Sequence, residues 1–221
     1  MRHCTRSLCL FLGILFMAGV SVAAPTDAAF HVRDYGAAAD GATLDTAALQ
    51  KAIDACTASG GGTVHFAPGV YLTGTLFLKD NVRLYLDANA VVRGSARVED
   101  YPAITRVNQD APAGQPAFSG GGVLIYGEGV RNVAIEGRGV IDGQGAAFWF
   151  PEMLSPKVRK PMPNRPRALV AVVKGESLSF RGVTLFNSPC YTIWAIGCDN
   201  VVIDGITIRN PHDGPNTDGI D

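Results

Sequence analysis

The chain has 221 residues, is 47% apolar, carries 26 glycines and has a formal net charge of −1 at neutral pH. That length allows one domain with a real core. A charge so near neutral gives no footprint for nucleic-acid binding, and the glycine content favours short strands and tight turns over a helix bundle.

Residues 1–23 read as a secretory leader. Arg2 and Arg6 precede an apolar run at 8–22, and Ser21-Val22-Ala23 offers small residues for cleavage. The run is shorter than the ~20 residues a membrane span needs. The mature chain, 24–221, is therefore expected to be secreted or periplasmic, with no membrane contact after cleavage. Losing Arg2 and Arg6 leaves 17 basic against 20 acidic residues, a balance of −3, and three cysteines: Cys56, Cys190 and Cys198. As an extended strand, the segment between Cys190 and Cys198 would hold them ~26 Å apart. A disulfide allows only ~7 Å between Cα atoms, so they pair only if the chain turns between them. Buried free thiols are expected.

Phe30-His31-Val32 is a strand candidate, and Asp34-Tyr35-Gly36 and Asp40-Gly41 are turn chemistry. Over 47–58, Leu49, Ile53 and Cys56 recur at helical spacing, with Ala48, Ala52 and Ala55 widening the face. Asp45 or Thr46 can cap this helix, and Ser59-Gly60-Gly61-Gly62 ends it. The period then becomes two: Thr63 to Phe66, Val70 to Leu72, Leu76 to Leu78, Val82 to Leu86 and Val91-Val92 are short strands between Gly, Asp and Asn. Residues 96–120 and 146–167 lack periodicity and are expected to be loops over one face. In the second, Phe148-Trp149-Phe150 precedes five prolines and Lys157, Arg159, Lys160, Arg165 and Arg167. It reads either as a solvated loop or as a cleft wall, with Trp149 offered to a sugar ring and cations offered to carboxylates.

Three twelve-residue runs align at 132–143, 177–188 and 200–211. Each has apolar residues at its second, fourth and ninth positions and Gly at its sixth, namely Gly137, Gly182 and Gly205. Starts separated by 23 and by 45 residues give a coil of roughly 20–25 residues. Such coils must stack to bury an apolar face. The pattern predicts an all-β, right-handed parallel β-helix with Val133/Ile135, Leu178/Phe180 and Val201/Ile203 stacked inward. An antiparallel sandwich would need regular hairpin turns such as Asn-Gly, and the sequence has none.

After the third run comes Asn216-Thr217-Asp218-Gly219-Ile220-Asp221. This hexapeptide resembles the Asn-Thr-Asp-Gly-x-Asp signature of the polygalacturonase family, glycoside hydrolase family 28. Gly139-Val140-Ile141-Asp142-Gly143-Gln144-Gly145, Arg165-Pro166-Arg167 and Asn187-Ser188-Pro189-Cys190-Tyr191-Thr192-Ile193 resemble further stretches of the family. The helix with its flanking turns resembles the start of pectin-degrading β-helix enzymes, which implies that it caps the open end of the first coil. One departure is Trp194, where many relatives carry His.

The resemblance implies a secreted inverting hydrolase of α-1,4-galacturonosidic bonds in pectin, acting as a monomer on a pectic polysaccharide without metal or cofactor. It makes Asp218 an active-site carboxylate. Asn216 would orient it or touch the sugar, and His212 and Trp149 would line the cleft. The family's acid and second base form an Asp-Asp pair one coil further on, so 24–221 is expected to be the N-terminal part of the β-helix, inactive alone. Two rivals remain open: a pectate lyase, and a non-catalytic saccharide-binding solenoid. Endo and exo cleavage, and galacturonan and rhamnogalacturonan substrates, also remain open.

A calcium loop is disfavoured, since Pro215 and Thr217 occupy positions an EF-hand gives to ligands. The Gly-x-Gly pairs at 137–139 and 143–145 lack the third glycine and the helix of a nucleotide loop. His65, within a strand, reads as structural.

Overall fold

The computed structural model describes residues 28–104 and 121–221. The expected leader at 1–23 lies outside the described residues, as do 105–120 of the first long excursion. The rest is a parallel β-helix with three walls, which the chain visits in a fixed order. The first wall stacks Ala29–His31, Gly62–Phe66, Val82–Leu86, Arg131–Gly137, Glu176–Arg181 and Asp199–Asp204. The second stacks Asp40–Leu44, Gly69–Thr73, Ala90–Gly94, Val140–Asp142, Thr184–Phe186 and Thr207–Arg209. The third stacks Leu76–Phe77, Val123–Glu128, Ala168–Val173 and Tyr191–Ile196, and Ile220 bridges Ile193 to begin a further strand.

The aligned repeats occupy the first wall, in register. Val133 pairs with Leu178 and Leu178 with Val201; Ile135 pairs with Phe180 and Phe180 with Ile203. Val133, Ile135, Leu178 and Phe180 are buried, and Val201 and Ile203 pack partly buried against the same core. The first position of each run is left-handed: Asn132, Ser177 and Asn200 have φ of 53°, 59° and 54°, in line with Asn81 at 61°. Asn tolerates this conformation, and Asn132 Nδ2 donates to Asn81 Oδ1 of the coil before it at 3.1 Å. The sixth-position glycines close the strand at the next corner. A Cβ on Gly182, at φ +71°, would lie 2.6 Å from the Gly137 carbonyl oxygen of the coil before it.

The helix spans Thr46–Ala58 and lays Leu49, Ala52, Ile53 and Cys56 against the first coil, all fully buried. Full burial of Leu49 and Ile53 contributes about 1.5–3 kcal/mol each. Asp45 holds the N-cap position without capping through its side chain. Its buried carboxylate accepts the Ala38 and Ala39 N–H groups at 2.7 and 3.0 Å, because that loop would otherwise leave two donors unpaired inside. The Thr46 hydroxyl likewise turns outward from the helix and accepts the Gly74 N–H at 2.7 Å.

Asp40-Gly41 lies inside a strand, at a register irregularity. It still makes a local turn: the Thr43 and Ala42 N–H groups bond the Asp40 carboxylate and hold its pKa well below the usual range. Val32, expected in the first strand, opens a 3-10 turn instead. Cys56, Cys190 and Cys198 are free thiols, two of them buried, and burial pushes the Cys56 thiol up to about 11.

Three long connections run from the second wall to the third, at 95–122, of which 105–120 lie outside the described residues, at 143–167 and at 210–219. The middle one is not the expected loop. Trp149–Ser155 and Val158–Pro161 pair as an antiparallel hairpin with irregular register. The turn falls at Pro156-Lys157, where proline presets the backbone of a tight turn. Pro151 and Pro161 are tolerated because a two-stranded ribbon has open edges.

Candidate active site

Asp218 enters the third wall one coil beyond Tyr191–Ile196. Thr192 N–H donates to the Asp218 carbonyl at 3.0 Å, Ile193 N–H to Gly219 at 3.1 Å, and Asp221 N–H returns to Ile193 at 2.9 Å. This register sets Asp218 beside Tyr191 and Asp221 beside Trp194, whose rings sit 5.2 Å apart. Both carboxylates are exposed. Partial burial, and then the negative charge of Asp218, raise the Asp221 pKa.

Two polar side chains, buried Arg165 and half-buried Asn210, hold the segment before Asp218. Arg165 is 4% exposed. Its Nη1 donates to the carbonyls of Pro189 and Pro215, each at 2.8 Å, and its Nη2 to Asn216 Oδ1 at 3.3 Å. Asn210 accepts the Ser188 N–H at 2.9 Å and donates to Thr192 Oγ1 at 2.7 Å and to the Thr217 carbonyl at 3.1 Å. Each clips 210–218 to the coil beneath. Sequence reading missed both as site residues. The signals were present, Arg165 in Arg-Pro-Arg and Asn210 at the end of the third repeat, but their partners lie on distant parts of the chain.

The hairpin clamps the same segment from outside. Arg159 N–H donates to the Asp213 carbonyl at 2.9 Å, and Arg159 Nε meets Asp213 Oδ2 at 2.7 Å. That hydrogen bond is the main reason the Asp213 carboxyl titrates below its ordinary range. Ala146, Trp149, Pro151, Arg159, Pro211 and Asp213 line a cavity of 380 Å³ between hairpin and segment.

The site residues expected from sequence are thus distributed unevenly. Asp218, Asn216 and His212 are exposed on the one segment, with Asn216 left-handed at φ 53° and its amide oxygen bonded to Arg165. Trp149 is 5% exposed and its indole N–H donates to the Pro189 carbonyl at 3.1 Å. It is a strut that shows only part of itself to the cavity, not an open platform. Phe148 is in the core, edge-on to Tyr101. Of the cations, Arg159 lines the cavity but is neutralised by Asp213, and Lys160 sits over Phe150 at 5.4 Å.

Residues 102–221 match the family model "Glycosyl hydrolases family 28". The chain belongs to that family. Residues 29–151 also match the model "Rhamnogalacturonase A/epimerase, pectate lyase-like". A probable polygalacturonase of Vitis vinifera is 32% identical over 196 residues, covering 85% of this chain and 38% of that protein. The family 28 exopolygalacturonase of Yersinia enterocolitica superposes with a TM-score of 0.70 at 28% identity, covering 87% of this chain and 40% of that one. The exopolygalacturonase of Thermotoga maritima gives 0.71 at 26% identity, covering 88% and 49%. The chain therefore spans less than half the length of these relatives.

Proposed function

We propose that the protein carrying this chain hydrolyses α-1,4-galacturonosidic bonds of pectin, with inversion, outside the cytoplasm. The observation that carries the reading is the presentation of Asp218. An exposed carboxylate stands on the solenoid wall, at the corner that also carries the hairpin, and buried Arg165 and half-buried Asn210 fix the backbone that leads into it. Family membership and relatives named as polygalacturonases support the same chemistry.

Glycoside hydrolysis with inversion needs one carboxylic acid for the leaving oxygen and one carboxylate to activate water, ~6.5–9.5 Å apart. Asp218 serves the water side. The acid belongs to the part of the relatives' length that this chain does not span. Asn216, pegged by Arg165, holds the turn that aims Asp218, and His212 lines the cleft rim beside it. The cleft takes a pectic polysaccharide.

The test is product chemistry. Incubation with polygalacturonate should release reducing ends of inverted anomeric configuration, with no ultraviolet-absorbing unsaturated sugar. Unsaturated product would make the protein a lyase. Binding without any cleavage would make it a saccharide-binding solenoid.

A further inference from the structure

The cavity between the hairpin and the 211–217 segment has a chemistry different from that of a site for an acidic sugar. Its one cation, Arg159, is already engaged by Asp213 through both side chain and backbone. The pair gives the cavity a donor and an acceptor side by side with no net charge. A carboxylate entering it would meet the Asp213 charge and would have to displace it from Arg159. Hydroxyl groups meet no such obstacle, since each can donate to Asp213 and accept from Arg159. The remaining lining, Trp149, Pro151, Pro211 and Ala146, is apolar and suits the C–H face of a sugar ring. At 380 Å³ the cavity lies in the range of small-ligand pockets, ~300–1,000 Å³.

We propose that this cavity is an accessory pocket for a single neutral sugar, carried as a branch on the polysaccharide whose backbone lies at Asp218. The inference rests on the reading of Asp218 given above and adds a substrate class: pectin decorated with uncharged monosaccharides. Position supports it, because Asp213 is joined to Asp218 by four residues held under the Arg165 and Asn210 clips. The lowered pKa of Asp213 keeps the ion pair intact in mildly acidic surroundings.

The test compares two substrates, unbranched polygalacturonate and polygalacturonate carrying single xylose branches, with equilibrium binding of methyl β-D-xyloside as a readout independent of hydrolysis. Ala146→Phe places a ring at the exposed rim of the cavity and leaves the ion pair untouched. Arg159→Met breaks the pair. Each should lower the ratio of kcat/KM on branched over unbranched substrate by about tenfold, the scale of discrimination one small pocket contact provides, and should weaken xyloside binding to a similar degree. Thermal melting identifies any variant that fails to fold, and Ala146→Phe, at an exposed position, keeps the test open if Arg159→Met does. An unchanged ratio with Ala146→Phe, or xyloside binding no better than galacturonate binding, would overturn the pocket. If the unaltered protein cleaves neither substrate but binds xyloside in a manner sensitive to Ala146→Phe, the reading of Asp218 fails and the pocket stands.

Discussion

The capped first coil and the corner that carries Asp218 are held together by opposite means. At the cap, Leu49, Ala52, Ile53 and Cys56 are fully buried, and the buried carboxylate there, Asp45, is consumed by backbone N–H groups. At the corner, Arg165, Asn210 and the Arg159–Asp213 pair do the fastening, and the carboxylates of Asp218 and Asp221 face solvent. Apolar burial is non-directional and gives stability; hydrogen bonds to named carbonyls give position. A cap must only cover a stack, whereas an active site must place an atom.

Three substitutions would break or sharpen that contrast. The largest effect on stability is expected at the cap. Ile53→Ala should cost about 2–5 kcal/mol in denaturant unfolding, because it leaves a cavity in a close-packed face, with little change in kcat for the molecules that remain folded.

Arg165→Met comes next. It leaves the Pro215 carbonyl without its Arg165 donor and the Pro189 carbonyl with the Trp149 indole alone, and an unsatisfied buried polar group costs about 1–3 kcal/mol. Hydrolysis should fall further than stability does, measured as kcat on polygalacturonate at a temperature where the variant is fully folded. Equal losses at both sites would erase the distinction between cover and placement.

The smallest effect is that of pH on the clamp. The folded pKa of Asp213 is depressed by Arg159, so its contribution is fully present above the unfolded value, ~3.9, and is lost as pH falls through the folded value. The pair is well exposed to water, which keeps the effect modest. Melting temperatures of the native chain and of Asp213→Asn should differ slightly at neutral pH and converge in strong acid. A difference that grows on acidification would contradict the assignment.

Periodic features were legible in the sequence, and features made by distant partners were not. The helix at 46–58 and the stacked pairs Val133/Leu178/Val201 and Ile135/Phe180/Ile203 follow from spacings of 3.6 and 2, repeated coil after coil. The hairpin at 149–161 was hidden, because its prolines suggest irregular chain unless the ribbon has free edges. Arg159 with Asp213, and Arg165 with Asn216, are 54 and 51 residues apart in sequence, and no local pattern announces such pairs. Basic residues that look available for substrate carboxylates can therefore already be committed, as Arg159 is. Trp149 fails as a platform for a related reason: its indole N–H finds the Pro189 carbonyl and draws the ring inward.

The most direct test of the central claim is hydrolysis of polygalacturonate by the Asp218→Asn protein. Asp218 is exposed and, among the described residues, its side chain makes no hydrogen bond or ion pair, so the melting temperature should stay unchanged while kcat falls about 10²–10⁴-fold, the usual contribution of a positioned acid or base. Hydrolysis at the native rate by a folded Asp218→Asn protein would contradict the account.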